Sequence, residues 1–311
     1  MRVLALSVLF GASLLPAQTS VDSSGLVSGY LFDEPSHSLR PILGVPGSAY
    51  LGRPVLSGLD HALPAPGGAW AVALRGGRTV IVQLANGSVS HEWMPEDITA
   101  TYTVAAWAGD GKSAVLYDAA SKSLQRIGLD SNKITVLETT SLEITGTVGT
   151  IAANRDGSRV AIAAGAEGAM TLYLVSSGTA KAVFESARIG AIAAASDKFY
   201  AVDEAAGMLM EADAAATPAW PVAEAISALR VSPDGSLVYA ASKNSPRIAV
   251  YDTAARALAR EIATDTPAAS LLALSRETLV LLNARRQKGD TLFVLDTQSD
   301  PAVYFVPAGD E

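Results

Sequence analysis

Short apolar runs with alternating polarity, hairpin-turn signals at near-constant spacing, and third runs that end in an aromatic or Leu plus Asp together predict an all-β chain. The architecture they point to is a β-propeller of four-stranded antiparallel blades. Residues 227–263, SALRVSPDGSLVYAASKNSPRIAVYDTAARALAREIA, contain the clearest unit. Alternation there predicts strands over 228–232, 237–242, 247–253 and 258–262. The first two are joined by Pro233-Asp234-Gly235, which combines a Pro-fixed φ, an Asx acceptor and a residue free to take positive φ.

Equivalent turns fall at Pro66-Gly67-Gly68, Asp110-Gly111, Asp156-Gly157, Asp197-Lys198 and Arg276-Glu277, so that successive units are 43, 46, 41, 37 and 42 residues apart. Third strands close on Leu129-Asp130, Tyr251-Asp252 and Leu295-Asp296. Upstream, Leu26 to Asp33 and Leu39 to Gly44 read as the third and fourth strands of one more blade. Its first two strands are not evident. The chain ends on a fourth strand, Val303 to Pro307, so the usual closure, in which the last strands complete the first blade, is not visible in the sequence. The total is six full blades and one partial blade, which fits a seven-bladed ring, with six blades as the alternative.

Residues 1–17 read as a cleaved signal peptide: Arg2, an apolar stretch from Val3 to Leu15, then Pro16-Ala17. The apolar stretch is too short to span a bilayer, so a periplasmic or secreted protein with no membrane span is expected. Residues 18–311 form one propeller domain. Loss of Arg2 takes the formal charge from −8 to −9, which argues against nucleic acid as a partner. With no Cys, thiol nucleophiles, Fe–S clusters and c-type haem are excluded.

The VSPDG of 231–235, the VYAAS of 238–242 and the IAVYDT of 248–253 resemble the YVTN-type repeat of bacterial secreted β-propellers, relatives of WD-like repeat propellers. That resemblance implies the fold; the functions it allows range from binding platforms to hydrolases.

Propeller ligands usually occupy the axial funnel or the face formed by inter-blade connections and the loops between second and third strands. The inner strands, 101–108, 146–154, 189–195, 226–232 and 268–275, contain no Asp, Glu, His or Lys, and Arg230 is their only charge. Only Asp60 and His61, on the inner strand before Pro66, add titratable groups, and no catalytic residue is assigned. Each connection carries a carboxylate. Convergence of Glu143, Glu185, Glu224 and Asp265 at the funnel mouth would suit a hard divalent cation such as calcium. That metal is the basis of an alternative reading as a lactonase-like or glycan-hydrolysing propeller; otherwise no cofactor is expected.

Lys243, Arg247, Arg285, Arg286 and Lys288 make one side of the loop face basic, against Glu167, Asp203 and Glu204 on the other. Such a cluster could hold an anionic group. The favoured reading is a non-catalytic, monomeric binding platform for a protein, peptide or glycan, an anionic one in particular. The Trp residues are expected in packing between blades, and His37, His61 and His91 in local contacts rather than one metal site.

Overall fold

The computed structural model describes residues 26–307 except 100, 132, 197, 214, 223, 276, 284–289 and 299. The proposed export segment lies outside these residues. Seven four-stranded antiparallel sheets are arranged in a ring, each built from a contiguous stretch of chain: 27–57, 61–93, 104–141, 147–186, 189–221, 226–263 and 272–306, here blades 1 to 7. In blade 6 the strands Ile226–Val231, Leu237–Ser242, Arg247–Asp252 and Ala257–Ala263 match the alternation to within two residues at every end.

The hairpin turns form for the chemical reason anticipated. Asp110, Asp156 and Asp234 each accept, through Oδ1, the backbone N–H two residues on, at 2.8, 3.0 and 3.1 Å. Gly111, Gly157 and Gly235 come next at φ +65°, +73° and +76°. At Gly111 the need is also steric, because a Cβ there would lie 2.1 Å from the Pro66 carbonyl oxygen of the neighbouring blade. The turns at 197 and 276 lie outside the described residues.

A feature invisible to alternation recurs on the outer edge. In blades 2 to 6 the third and fourth strands pair through a register shift, at Gln83/Leu84, Arg126/Ile127, Leu172/Tyr173, Leu209/Met210 and Val250/Tyr251. Bulges of this kind add local twist, which bends the outer strand away from the sheet plane.

Seven apolar clusters fill the seams, each drawn from two neighbouring blades. Blade 5 meets blade 6 through Trp220, which sits between Tyr200 and Tyr251 with ring centroids 5.8 and 5.4 Å away. The seventh seam closes the ring without strand exchange: Leu31, Ile42 and Leu51 of blade 1 pack on Leu274, Leu281 and Val294 of blade 7. Gly29 permits this approach, since a Cβ there would come within 2.8 Å of the Leu274 side chain.

Blade 1 departs from the sequence expectation. Val27–Asp33 and Ser38–Leu43 pair with each other, and the outer edge is completed by two short segments, Tyr50–Leu51 and Leu56–Ser57, that both pair with Ser38–Leu43. Direction identifies their ranks. The start of Val27–Asp33 meets the end of blade 7's inner strand, where Ser275 N donates to Ser28 O at 3.0 Å. Its end meets the start of blade 2's inner strand, with Phe32 and His61 rings 5.6 Å apart. It therefore runs opposite to the inner strands, as second strands do. The two segments expected as third and fourth strands are the second and third. The inner strands of blades 2 and 7 meet in front of them, with Gly67 N donating to Leu274 O at 3.2 Å.

Candidate functional site

The inner strands align on the residue whose N–H closes each hairpin: Ala65, Ala108, Asn154, Ala195, Ser232 and Leu274, at 2.8 to 3.0 Å. Two residues earlier, the same rank holds Leu63, Ala106, Ala152, Ala193, Arg230 and Leu272. All six line an axial cavity of about 310 Å³, whose walls come from blades 2 to 7 and reach the hairpin turns at Pro66, Gly109, Arg155, Ser196 and Pro233. That volume falls at the low end of small-molecule pockets. Small side chains keep it open, as the taper of the inner strands requires.

Two polar groups are fixed in this apolar wall. Trp107 Nε1 donates to Leu63 O at 2.8 Å, which lays the indole along the wall toward blade 2. Arg230 Nη2 donates to Glu277 O at 2.9 Å, reaching toward blade 7. Burial pushes the Arg230 pKa down, opposed by the charges of Glu277 and Tyr239. Yet the side chain is only half-buried, because the channel reaches it. Among the described residues no carboxylate lies within 4.0 Å of the Arg230 guanidinium, whereas Arg40, Arg75, Arg126, Arg159, Arg188, Arg247 and Arg256 each have one. The sequence marks Arg230 as the lone charge of the inner strands; its rank in the channel emerges only from the strand register.

The opposite face carries the other candidate residues, and the structure ties several of them locally. Glu224 accepts hydrogen bonds from Ser242 Oγ and Ser245 Oγ and lies 3.5 Å from Arg247. These bonds, Ser242 first, hold the Glu224 carboxyl below its ordinary pKa. Arg247 also lies 3.5 Å from Glu261. A carboxylate considered for a metal and a cation considered for an anion thus face each other. Likewise Arg188 bridges Glu167 at 3.8 Å and Glu204 at 3.7 Å, offsetting the acidic side of the face. Asp203 accepts from Ser186 Oγ at 2.6 Å and from the N–H groups of Ala205 and Ala206.

Glu185 stands within the outer strand Thr179–Ser186 rather than in a connection, which corrects its expected placement. Glu143 points to solvent between buried Leu142 and Ile144, and Asp265 is exposed. Among the described residues no group of three or more His, Asp or Glu is brought together in a way that could hold a metal. Lys243 is exposed; Arg285, Arg286 and Lys288 lie outside the described residues. Asp60 Oδ2 accepts from Gly77 N at 2.8 Å, and His61 Nδ1 is 3.3 Å from the Tyr102 hydroxyl, whose pKa burial raises. His37 Nδ1 lies 3.1 Å from Leu59 O, and His91 stacks on Trp93 at 5.3 Å, so the three His residues have separate local contacts.

No helix among the described residues is long and apolar enough to cross a membrane. No protein-family model matches the chain, and no curated protein does. Solved structures do resemble it. A functionally unknown protein from Desulfotomaculum acetoxidans superposes with a TM-score of 0.61 at 10% identity, over 91% of this chain and all of that one. Hydrazine synthase from Kuenenia stuttgartiensis gives 0.57 at 12% identity, over 90% and 92%. Hsv2 from Kluyveromyces marxianus gives 0.54 at 10%, over 81% and 82%. At these identities the likeness is one of fold.

Proposed function

We propose that the protein is an exported, non-catalytic propeller whose connection face binds an anionic protein, peptide or glycan. One observation supports this most: charged side chains on that face tie loops to connections within and between neighbouring blades, as Glu224 does with Ser242, Ser245 and Arg247. Loops held this way present a preorganised surface and lose little freedom on binding. Lys243 is exposed there, and in the sequence Arg285, Arg286 and Lys288 fall between the second and third strands of the next blade. The VSPDG and YDT segments support kinship with bacterial secreted repeat propellers, and residues 1–17 support export.

The test is retention of the mature protein on heparin and on a carboxylated resin. Wild type is expected to be retained, and the Arg285→Ser/Arg286→Ser/Lys288→Ser variant to elute with the void volume. Equal retention of both overturns the reading. A chelator-sensitive rise in Tm with Ca²⁺ would favour a metal-dependent hydrolase instead.

A further inference from the structure

Among the described residues, the axial cavity shares none with the basic cluster of the connection face, of which Lys243 and Arg247 are described. Its lining is rich in alanine and leucine, with the Trp107 ring laid along one wall and Arg155 and Glu277 at its hairpin-turn end. Arg230 stands in the rank that is Leu or Ala in the other five strands. A guanidinium carries five N–H donors, and the single hydrogen bond to Glu277 O occupies one of them. A charge placed at such depth costs desolvation, and the protein offsets this elsewhere by setting a carboxylate beside the Arg, as at Asp33 and Arg40, 3.4 Å apart in blade 1. Among the described residues no carboxylate lies within 4.0 Å of Arg230, and Glu277, which also lines the cavity, acts on it only from longer range. The fork of a guanidinium matches a carboxylate in a bidentate pair.

We infer that the axial cavity is a binding site for a small monocarboxylate with an apolar body, an aliphatic or aromatic acid whose carboxylate pairs with Arg230. Its hydrocarbon part lies against Ala152, Ala193 and Leu272 and along Trp107. The carboxylate supplies the counter-charge, and the alanine wall leaves room for the chain.

Octanoate is the probe, with octanamide as its neutral counterpart, monitored by isothermal titration and by tryptophan fluorescence. Wild type is expected to bind octanoate at least tenfold more tightly than octanamide. Arg230→Gln is expected to erase that preference while leaving octanamide binding and the unfolding midpoint unchanged. Ala273→Leu, which fills the cavity, is expected to abolish both. Trp107→Phe should remove most of the fluorescence response and keep the calorimetric one. Failure of octanoate to bind overturns the inference, as does equal affinity for acid and amide, or undiminished octanoate binding in Arg230→Gln or Ala273→Leu. Loss of retention on an anionic resin in the Arg285/Arg286/Lys288 variant leaves octanoate binding untouched, so the two readings fail separately.

Discussion

The connection face and the axial channel treat charge in opposite ways. On the connection face, Glu224 with Arg247, and Arg188 with Glu167 and Glu204, meet as pairs at 3.5 to 3.8 Å. In the channel wall the Arg230 guanidinium has a backbone carbonyl as its hydrogen-bond partner, while outside the channel the hairpin-turn end pairs its charges too, Lys198 with Glu211 at 2.7 Å and Arg159 with Asp213 at 2.6 Å. The paired acids and bases of the connection face neutralise one another, whereas Arg230 in the channel keeps unused donors.

Two glycines in left-handed turns differ in the space around them, and that difference gives the largest expected effect. Gly111 at the turn end has φ +65° and the Pro66 carbonyl 2.1 Å from where a Cβ would be; Gly77 at the connection end has φ +70° and open space around it. Gly111→Ala is expected to cost about 3 kcal/mol, from left-handed strain plus a backbone clash, and Gly77→Ala about 1 kcal/mol, from strain alone. Urea unfolding measures both. Equal costs would mean that the Pro66 carbonyl yields to a Cβ at position 111.

A smaller effect concerns the paired charges. Arg188→Ala removes two exposed ion pairs and is expected to change stability by about 0.5 kcal/mol or less. A larger loss in urea would make those pairs structural rather than surface complementarity.

The smallest effect is in the pH dependence. Because the folded Glu224 pKa is depressed, its contribution is complete above the unfolded value and is lost as pH falls through the folded one. As pH falls from the ordinary carboxylate range through the depressed folded value, Glu224→Gln is expected to lose less stability than wild type. Identical slopes would show that the Ser242 and Ser245 hydrogen bonds do not distinguish the charged form.

How much of this was legible depended on the blade. In blade 6 the chain alternates cleanly, turns at Pro233-Asp234-Gly235 and packs both middle strands, so its strands could be read from sequence to within two residues. In blade 1 the outer edge is broken between Leu51 and Leu56, where Pro54 interrupts the period, and two residues at each end are too few to show alternation. That loss moved the whole blade by one rank. Bulges on the outer strands were also hidden, since a register shift changes pairing without altering composition. Of the candidate site, the charge of Arg230 was plain in the sequence. Its neighbours in the channel come from strands more than thirty residues away, and only the hairpin register brings Ala193 and Leu272 to its level. Conversely, Glu224 and Arg247 looked like two separate candidates because the contact that joins them runs from a connection to a loop.

The contrast between the channel and the connection face is tested most directly by titrating octanoate, with calorimetric detection, into three proteins: wild type, Arg230→Gln, and Arg285→Ser/Arg286→Ser/Lys288→Ser. Wild type and the triple loop variant should bind with the same affinity, and Arg230→Gln at least tenfold more weakly. Weakened binding in the loop variant with undiminished binding in Arg230→Gln would contradict an axial site and return the anion to the connection face.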